Sequence, residues 1–355
     1  MDTSVMITLG FLVFAIVMFA WEKIPLSITA MVVAVGLHLS GVLSAKEAFA
    51  GFVDPNVLLF MGMFVIGEAF FATGVAVGVG NVVHKFAKTE TSLLVAVMMI
   101  TGILSGFLSN TGTAAVLIPV IIGICKKSGF KQTKLLMPLV FAAAMGGNIS
   151  LIGAPGNMIA QAGLQQAGLG SFGFFDYGLV GLPILIVGTI FYATIGKRFL
   201  PDAPSHQPDG AFEGNDDYSH VPSWKKWTAA IVLILTVVAM IFEKQLGVKL
   251  YVSAWIGALV LVATNVISES AAVRSIDMKT IMLFAGSMAL GDAMVKTGTG
   301  SVIADLIVNS LGASPSPIVV LVVIFVLGVF MTNFMSNTAT CALLVPIGLS
   351  LASQL

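Results

Sequence analysis

The chain has 355 residues, 57% of them hydrophobic and only 10% charged, and its 17 basic and 17 acidic side chains cancel. Soluble domains carry about 25% charged residues, so this composition excludes an ordinary soluble domain, and the zero net charge offers no basic surface for nucleic acid. The mean hydropathy of +1.02 describes instead a polytopic, all-α protein of a lipid bilayer.

The first apolar run, residues 5–20, is closed by Glu22, Lys23 and Pro25. Neither a basic start nor a small-residue cleavage site accompanies it, so it reads as a retained span and not a signal peptide. A second run covers 26–43, a loop with Lys46 and Glu47 covers 44–54, and a third run covers 56–80. The third fades into an amphipathic stretch, 81–88, where His84 beside Lys85 reads as interfacial.

Residues 92–126 differ from these. Two apolar arms, 92–108 and 114–125, flank a polar knot of Ser109, Asn110, Thr111, Gly112 and Thr113. Each arm falls short of the roughly 20 residues a full crossing needs. Lys85 and Lys88 precede the pair, and Lys126, Lys127, Lys131 and Lys134 follow it. Basic flanks favour the cytoplasm, so both ends are expected on one side, with the knot at the tip of a re-entrant hairpin. Irregular backbone at that depth is tolerated only where it is buried in protein or lines a watery cavity, which makes the tip a candidate site.

The fourth span begins near Leu135 and is interrupted between Gly146 and Asn157, where four glycines and Pro155 break a regular helix. Two half-helices with an unwound joint are expected. Residues 161–177 read as a loop, and 178–196 as a fifth span closed by Lys197 and Arg198. The stretch 201–226 is polar, with four prolines and five acids, and reads as a linker. Asp209, Glu213, Asp216 and Asp217 within it lack the spacing of a calcium loop. Further spans cover 227–242, 251–267 and 281–304, and a second hairpin starts near residue 317. The expected organisation is a first repeat unit at 1–200, a linker at 201–226 and a second unit at 227–355.

That division rests on an internal repeat. Ser336-Asn337-Thr338 follows Ser109-Asn110-Thr111 by 227 residues, and Pro346 follows Pro119 by the same distance. Glu243-Lys244 repeats Glu22-Lys23, and Gly291-Asp292-Ala293 with Thr297-Gly298 repeats Gly67-Glu68-Ala69 with Thr73-Gly74. Five spans before the linker make equivalent spans run in opposite directions, the inverted repeat of many secondary carriers. With the N-terminus outside, thirteen basic residues fall inside (among them Lys23, Lys197, Arg198, Lys225, Lys226, Arg274 and Lys279) and only Lys46, Lys244, Lys249 and Lys296 outside. The first hairpin then enters from the cytoplasm and the second from outside, so that the tips are expected to meet near the midplane.

Each tip offers hydroxyls, an amide and free backbone groups, but no Lys or Arg. Their oxygens suit a hard cation such as sodium, and their N–H and O–H donors with helix N-termini suit an oxyanion. Neutral ligation of an anion favours a co-bound cation, hence cation-coupled anion movement. Ser, Asn and Thr are also good helix caps, so a single tip carries little weight; two matched tips beside a broken helix carry more. Glu68 and Asp292 are acids within spans, open to either a functional or a structural hydrogen-bonding role. Cys125 and Cys341 read as small packing residues and not as a disulfide. The sequence shows no nucleophile triad, metal cluster or phosphate loop, and Gly146-Gly147 lacks the Walker spacing, so no enzyme and no organic cofactor are expected.

The paired Ser-Asn-Thr tips and the break Gly146-Gly147…Leu151-Ile152-Gly153-Ala154-Pro155-Gly156-Asn157 resemble the divalent anion:sodium symporter family. That family lies in the superfamily of citrate, arsenite and sodium/proton carriers. The resemblance covers nearly the whole chain. It implies an elevator-type carrier of the cell membrane, usually a homodimer, moving di- or tricarboxylates or sulfate with sodium or by exchange. By position it implies a first sodium site at Ser105, Ser109, Asn110 and Gly153. A second would begin with Thr332, Ser336 and Asn337, and the substrate would be faced by Asn110, Thr111, Asn337 and Thr338. The chain departs from the family at Ala154, where the usual break, Gly-Thr-Pro-Pro-Asn, has a threonine, and it lacks the family's extra first helix. The 227-residue spacing also places the end of a complete second unit at about residue 425, so the chain is expected to be a fragment or an incomplete carrier. A sodium/proton or arsenite-type carrier and a non-transporting membrane subunit are the alternatives.

Overall fold

Helix length separates two kinds of apolar segment here. The computed structural model describes residues 2–78, 89–201, 218–311 and 316–352. Among these, four helices are long and apolar enough to cross a membrane: α1 (Thr3–Trp21), α4 (Pro55–Ala72), α10 (Ser223–Ile241) and α14 (Met278–Thr297). At 1.5 Å per residue, 18 to 20 residues span about 27–30 Å, the thickness of a hydrocarbon core. The other apolar helices are shorter: α2 (Leu26–Leu39), α5 (Glu90–Ser105), α6 (Asn110–Ser128), α7 (Thr133–Gly146), α9 (Gly178–Thr194), α12 (Leu250–Ala263), α16 (Pro317–Met331) and α17 (Asn337–Ala352). Short or polar helices complete the set: α3 (Ala45–Ala48), α8 (Pro155–Gln166), α11 (Glu243–Leu246), α13 (Glu269–Ser275) and α15 (Thr299–Leu311). No strand occurs among the described residues. His84, Lys85, Lys88 and the linker acids Asp209, Glu213, Asp216 and Asp217 lie outside them.

Three expectations are corrected. The span 56–80 ends at Ala72 and the span 281–304 at Thr297, because Gly74 and Gly298 take left-handed backbone (φ 75° and 73°) that no helix continues through. Each preceding threonine bends back to seal its helix: Thr73 Oγ1 donates to Ala69 O and Thr297 Oγ1 to Ala293 O, both at 2.7 Å. The loop expected at 161–177 is helical as far as Gln166, since its Gln, Ala and Leu residues favour a helix and the first left-handed glycine is Gly168.

The matched stops belong to a longer correspondence. The order α1–α4 recurs as α10, α12, α13 and α14. Left-handed residues stand at Gly41 and Asn265, and N-capping hydroxyls at Ser44 and Ser268, in each case 224 residues apart.

The chain forms two compact units, residues 1–58, 158–171 and 277–355 in one and 59–157 with 172–276 in the other. Both units therefore draw on both halves of the sequence. In the first, α1, α2, α14 and α17 share a core of Leu12, Phe19, Val33, Leu37, Leu290 and Leu343. There the backbone of Ala30 lies against Gly286, a packing that only a small residue permits. In the second, α5, α6, α7 and α9 bury Leu93, Met98, Leu117, Ile121, Leu139 and Leu185. Within it, Gly102 of α5 meets Gly146 of α7 backbone to backbone, which draws the end of α7 toward the hairpin.

In the first unit α3 carries a full capping box, with Ser44 N donating to Glu47 Oε2 and Glu47 N to Ser44 Oγ. Lys296 donates to both Glu47 oxygens at 2.9 and 2.8 Å. The Lys296 bond, then the Ser44 backbone and hydroxyl, hold the Glu47 carboxyl down at about 2 from an ordinary 4.5. A lowered carboxyl stabilises the fold above its unfolded value and loses that contribution as the pH falls through its folded value. Glu47→Gln is therefore expected to lower the melting temperature slightly at neutral pH. The difference from the parent chain should shrink between pH 4.5 and about 2 in thermal melts taken across that range.

Candidate functional site

The first tip is built where α5 stops. The helix ends at Ser105 with Gly106 as its cap, the chain turns through Phe107 and Leu108, and Ser109 starts α6. Ser109 Oγ accepts from Gly112 N at 3.0 Å, an ordinary N-cap. Asn110 is thereby the first residue of α6, half-buried and facing the end of α7.

The backbone from Gly147 to Ala154 is non-helical, as its glycines and Pro155 require, and α8 begins only at Pro155. The break is tied to the tip at several points. Ser150, fully buried, donates its hydroxyl to Gly106 O. Asn157 Nδ2 donates to Gly147 O and Ser150 O, both at 2.9 Å, and Tyr177 Oη donates to Asn157 O at 2.7 Å. Leu151 N donates to Phe174 O at 2.9 Å. These bonds satisfy backbone groups that the broken helix would otherwise leave unpaired in a buried setting. A side chain at Gly153 would strike Gly147 O and Gly106 O, so only glycine lets the break lie this close.

At the centre of these contacts is the Asn110 amide. Ser105 is fully buried, and its Oγ donates to Ala143 O at 2.7 Å. With Asn110 Oδ1 turned inward it lies 2.7 Å from Ser105 Oγ and can accept that hydroxyl only if the proton leaves Ala143 O, and it confronts only acceptors among its other neighbours. With the amide turned the other way, Nδ2 donates to Ser105 Oγ at 2.7 Å, Ala143 O at 3.1 Å and Gly153 O at 3.2 Å. Hydrogen bonding alone favours Nδ2 inward. A cation among the same groups would favour Oδ1 inward, because all the surrounding atoms are oxygens. Sodium and similar hard cations take such neutral oxygen sets. Among the described residues no group of three or more His, Cys, Asp or Glu could hold a metal.

Ser105, Asn110 and Gly153, which the resemblance alone places in one sodium site, lie together here, whereas the Ser109 hydroxyl serves as a cap. Thr111 is exposed beside them. Thr113 is buried with no hydrogen-bond partner for its Oγ1. Sequence reasoning gave no role to Ser150, Asn157, Tyr177 or the Ala143 carbonyl; the asparagine closing the Gly-x-Pro-x-Asn break was the one available signal.

The second tip, in the other unit, repeats the local design. Thr332 Oγ1 donates to Asn337 Oδ1, as Ser105 can to Asn110, and Ser336 Oγ accepts from Ala339 N at 3.2 Å. Thr340 Oγ1 donates to Ser336 O at 3.1 Å. Ser336 and Asn337 are exposed, Thr332 and Thr338 half-buried. Glu68 and Asp292 are both half-buried, each five residues before the threonine that ends its helix. Neither belongs to a tip.

Against known proteins, the model of the citrate transporter family matches residues 16–355. An uncharacterized transporter of Escherichia coli strain K12 is 33% identical over 211 residues, which is 59% of this chain and 35% of that protein. An uncharacterized transporter of Haemophilus influenzae is 28% identical over 367 aligned positions, covering 98% of this chain and 77% of that protein. The sodium-dependent dicarboxylate transporter of Staphylococcus saprophyticus is 25% identical over 365, covering 92% of this chain and 69% of that protein.

Asn157→Ala strands the Gly147 and Ser150 carbonyls, at about 1–3 kcal/mol for each buried group left unpaired. We expect a clear fall in melting temperature in detergent. Tyr177→Phe, which removes one donor from Asn157 O, should cost less in the same assay.

Proposed function

The chain belongs to the citrate transporter family and is a multi-pass membrane protein, and on that basis we propose that it moves a di- or tricarboxylate, with sulfate as the other candidate anion, coupled to sodium. The observation that carries this reading is the set of neutral oxygens around Asn110: Ser105 Oγ, Ala143 O and Gly153 O converge on one side-chain amide with no cationic group among them. Such a set binds a small cation by replacing its hydration oxygens. It also leaves the neighbouring helix N-terminus and the Thr111 hydroxyl free to meet an anion.

The first sodium site in this reading comprises Ser105, Asn110 and Gly153, with Ser109 shaping it as the cap. The second begins with Thr332, Ser336 and Asn337, whose Thr-to-Asn bond repeats that of the first tip. Asn110, Thr111, Asn337 and Thr338 are the proposed substrate contacts. Ala154 withholds a hydroxyl that the related carriers supply, so the anion is expected to be held differently at that point. Sodium dependence is supported by the dicarboxylate transporter of S. saprophyticus, whose similarity covers 92% of this chain. The repeat units 1–200 and 227–355 joined by the linker 201–226, their inverted orientation with re-entrant hairpins, an elevator motion and a homodimer complete the proposal. The asymmetry of basic residues and the matched stops, caps and tips support the inverted repeat; the elevator motion and the homodimer rest on the family resemblance alone.

The test is uptake of radiolabelled citrate, succinate and sulfate into liposomes with and without a sodium gradient. Asn110→Ala is expected to raise the half-saturating sodium concentration about five- to hundred-fold, since an unpaired buried group costs roughly 1–3 kcal/mol. Thr111→Ala should weaken the anion more than the ion, and Cys125→Ala, further along α6, should be silent. Unchanged sodium dependence in Asn110→Ala would reduce the tip to a helix cap.

A further inference from the structure

Away from the first tip, three helix ends of the second unit meet around an open pocket. α5 begins at Glu90, α7 begins at Thr133, and α9 runs out through a 3-10 turn at Gly196–Arg198. The pocket has a volume of about 520 Å³ and is lined by Glu90, Thr91, Lys134, Lys197, Arg198 and Leu200. Among the described residues, three cations and one carboxylate thus line it. Lys197 is half-buried and held by Thr91, to whose Oγ1 it donates at 2.9 Å. Lys134 forms a long ion pair with Glu90, at 3.9 Å. Arg198 is exposed at the rim. The N-termini of two helices of 16 and 14 residues add partial positive charge at the same place. Thr133 Oγ1 donates to Pro201 O at 2.8 Å and fixes the segment that follows the cations.

An apolar surface leads up to this pocket. Leu179, Val187, Ile190 and Ile195 of α9 and its exit are exposed, and Phe199, between Arg198 and Leu200, is 78% exposed. In a membrane protein such a column contacts acyl chains, and its end marks the level of the headgroups. A cationic pocket at that level has the chemistry of a phosphate receptor.

We propose that this pocket binds the phosphate diester of an anionic lipid headgroup. Lys197, Arg198 and Lys134 hold the phosphate oxygens, while Phe199 and Ile195 lie against the first acyl carbons. Glu90 disfavours a second negative charge and accepts a headgroup hydroxyl instead. The inference needs only the membrane-spanning reading, so its failure leaves the sodium site untouched.

Native mass spectrometry of the purified chain in detergent, titrated with phosphatidylglycerol or phosphatidylcholine, tests it. The parent chain should bind phosphatidylglycerol more tightly than phosphatidylcholine. The double variant Lys197→Gln/Arg198→Gln should lose about 30-fold of that affinity, at roughly fivefold per charge, with phosphatidylcholine unchanged. Lys197→Arg/Arg198→Lys should keep it, and Lys197→Gln alone, losing about fivefold, guards against a folding defect in the double variant. Millimolar inorganic phosphate should not displace the lipid; displacement would assign the pocket to soluble phosphate and overturn the lipid reading. Equal affinity for both lipids, or undiminished phosphatidylglycerol binding in the double variant, would also overturn it.

Discussion

A side-chain amide surrounded by oxygens is the constraint on which the rest of this molecule depends. With the Ser105 hydroxyl proton given to Ala143 O, Asn110 has only acceptors within reach of one face: Ala143 O and Gly153 O from two ends of a broken helix, and Ser105 Oγ from its own hairpin. A carbonyl oxygen placed there is repelled unless something positive sits between; an N–H placed there is satisfied. The same geometry therefore supports two states that differ by half a turn of one amide. An ion that prefers one of them shifts the balance by its differential affinity, which is the general requirement for a ligand to act on a conformational equilibrium. In this account the break in the helix exists to bring the Gly153 carbonyl to that place.

Unwinding a helix within a membrane protein exposes N–H and C=O groups at several kcal/mol each unless they find partners. Here the partners are named. Ser150 reaches Gly106, Asn157 reaches Gly147 and Ser150, Tyr177 reaches Asn157, and Leu151 reaches Phe174. The close meeting of Gly102 and Gly146 brings the end of α7 near enough to the end of α5 for Ser150 to reach Gly106. The site is thus a product of small residues and neutral hydrogen bonds.

Features written in glycine, proline and polar knots were legible in the sequence. The tip at 109–113, its copy at 336–338 and the interruption after Gly146 each interrupt an apolar run; the structure has non-helical backbone at 106–109, 332–336 and 147–154, and the helices resume at Asn110, Asn337 and Pro155. Helix stops at Thr73-Gly74 and Thr297-Gly298 were not read, although the pairs were noticed as matched. A single glycine within an apolar run is compatible with a continuing helix, and its left-handed φ is a property of the folded backbone. The residues that support Asn110 were hidden for a different reason. Ser150 lies 44 residues from Gly106, and Ala143 takes part only through its carbonyl, which every residue has. The composition of 161–166 favours a helix, and the left-handed Gly168 lies just beyond its end.

If these oxygens hold sodium, thermal melting of the purified chain reads it without transport. A ligand that binds only the folded state raises its stability with concentration as RT ln(1 + [L]/Kd), about 2.7 kcal/mol at a hundredfold excess over Kd. Melting curves in sodium chloride and in choline chloride at equal ionic strength, for the parent chain and for Ser105→Ala, make the comparison. The account predicts a melting temperature that rises with sodium and not with choline, and a rise that is lost in Ser105→Ala. Identical curves in the two salts, or an undiminished sodium effect in Ser105→Ala, would contradict it.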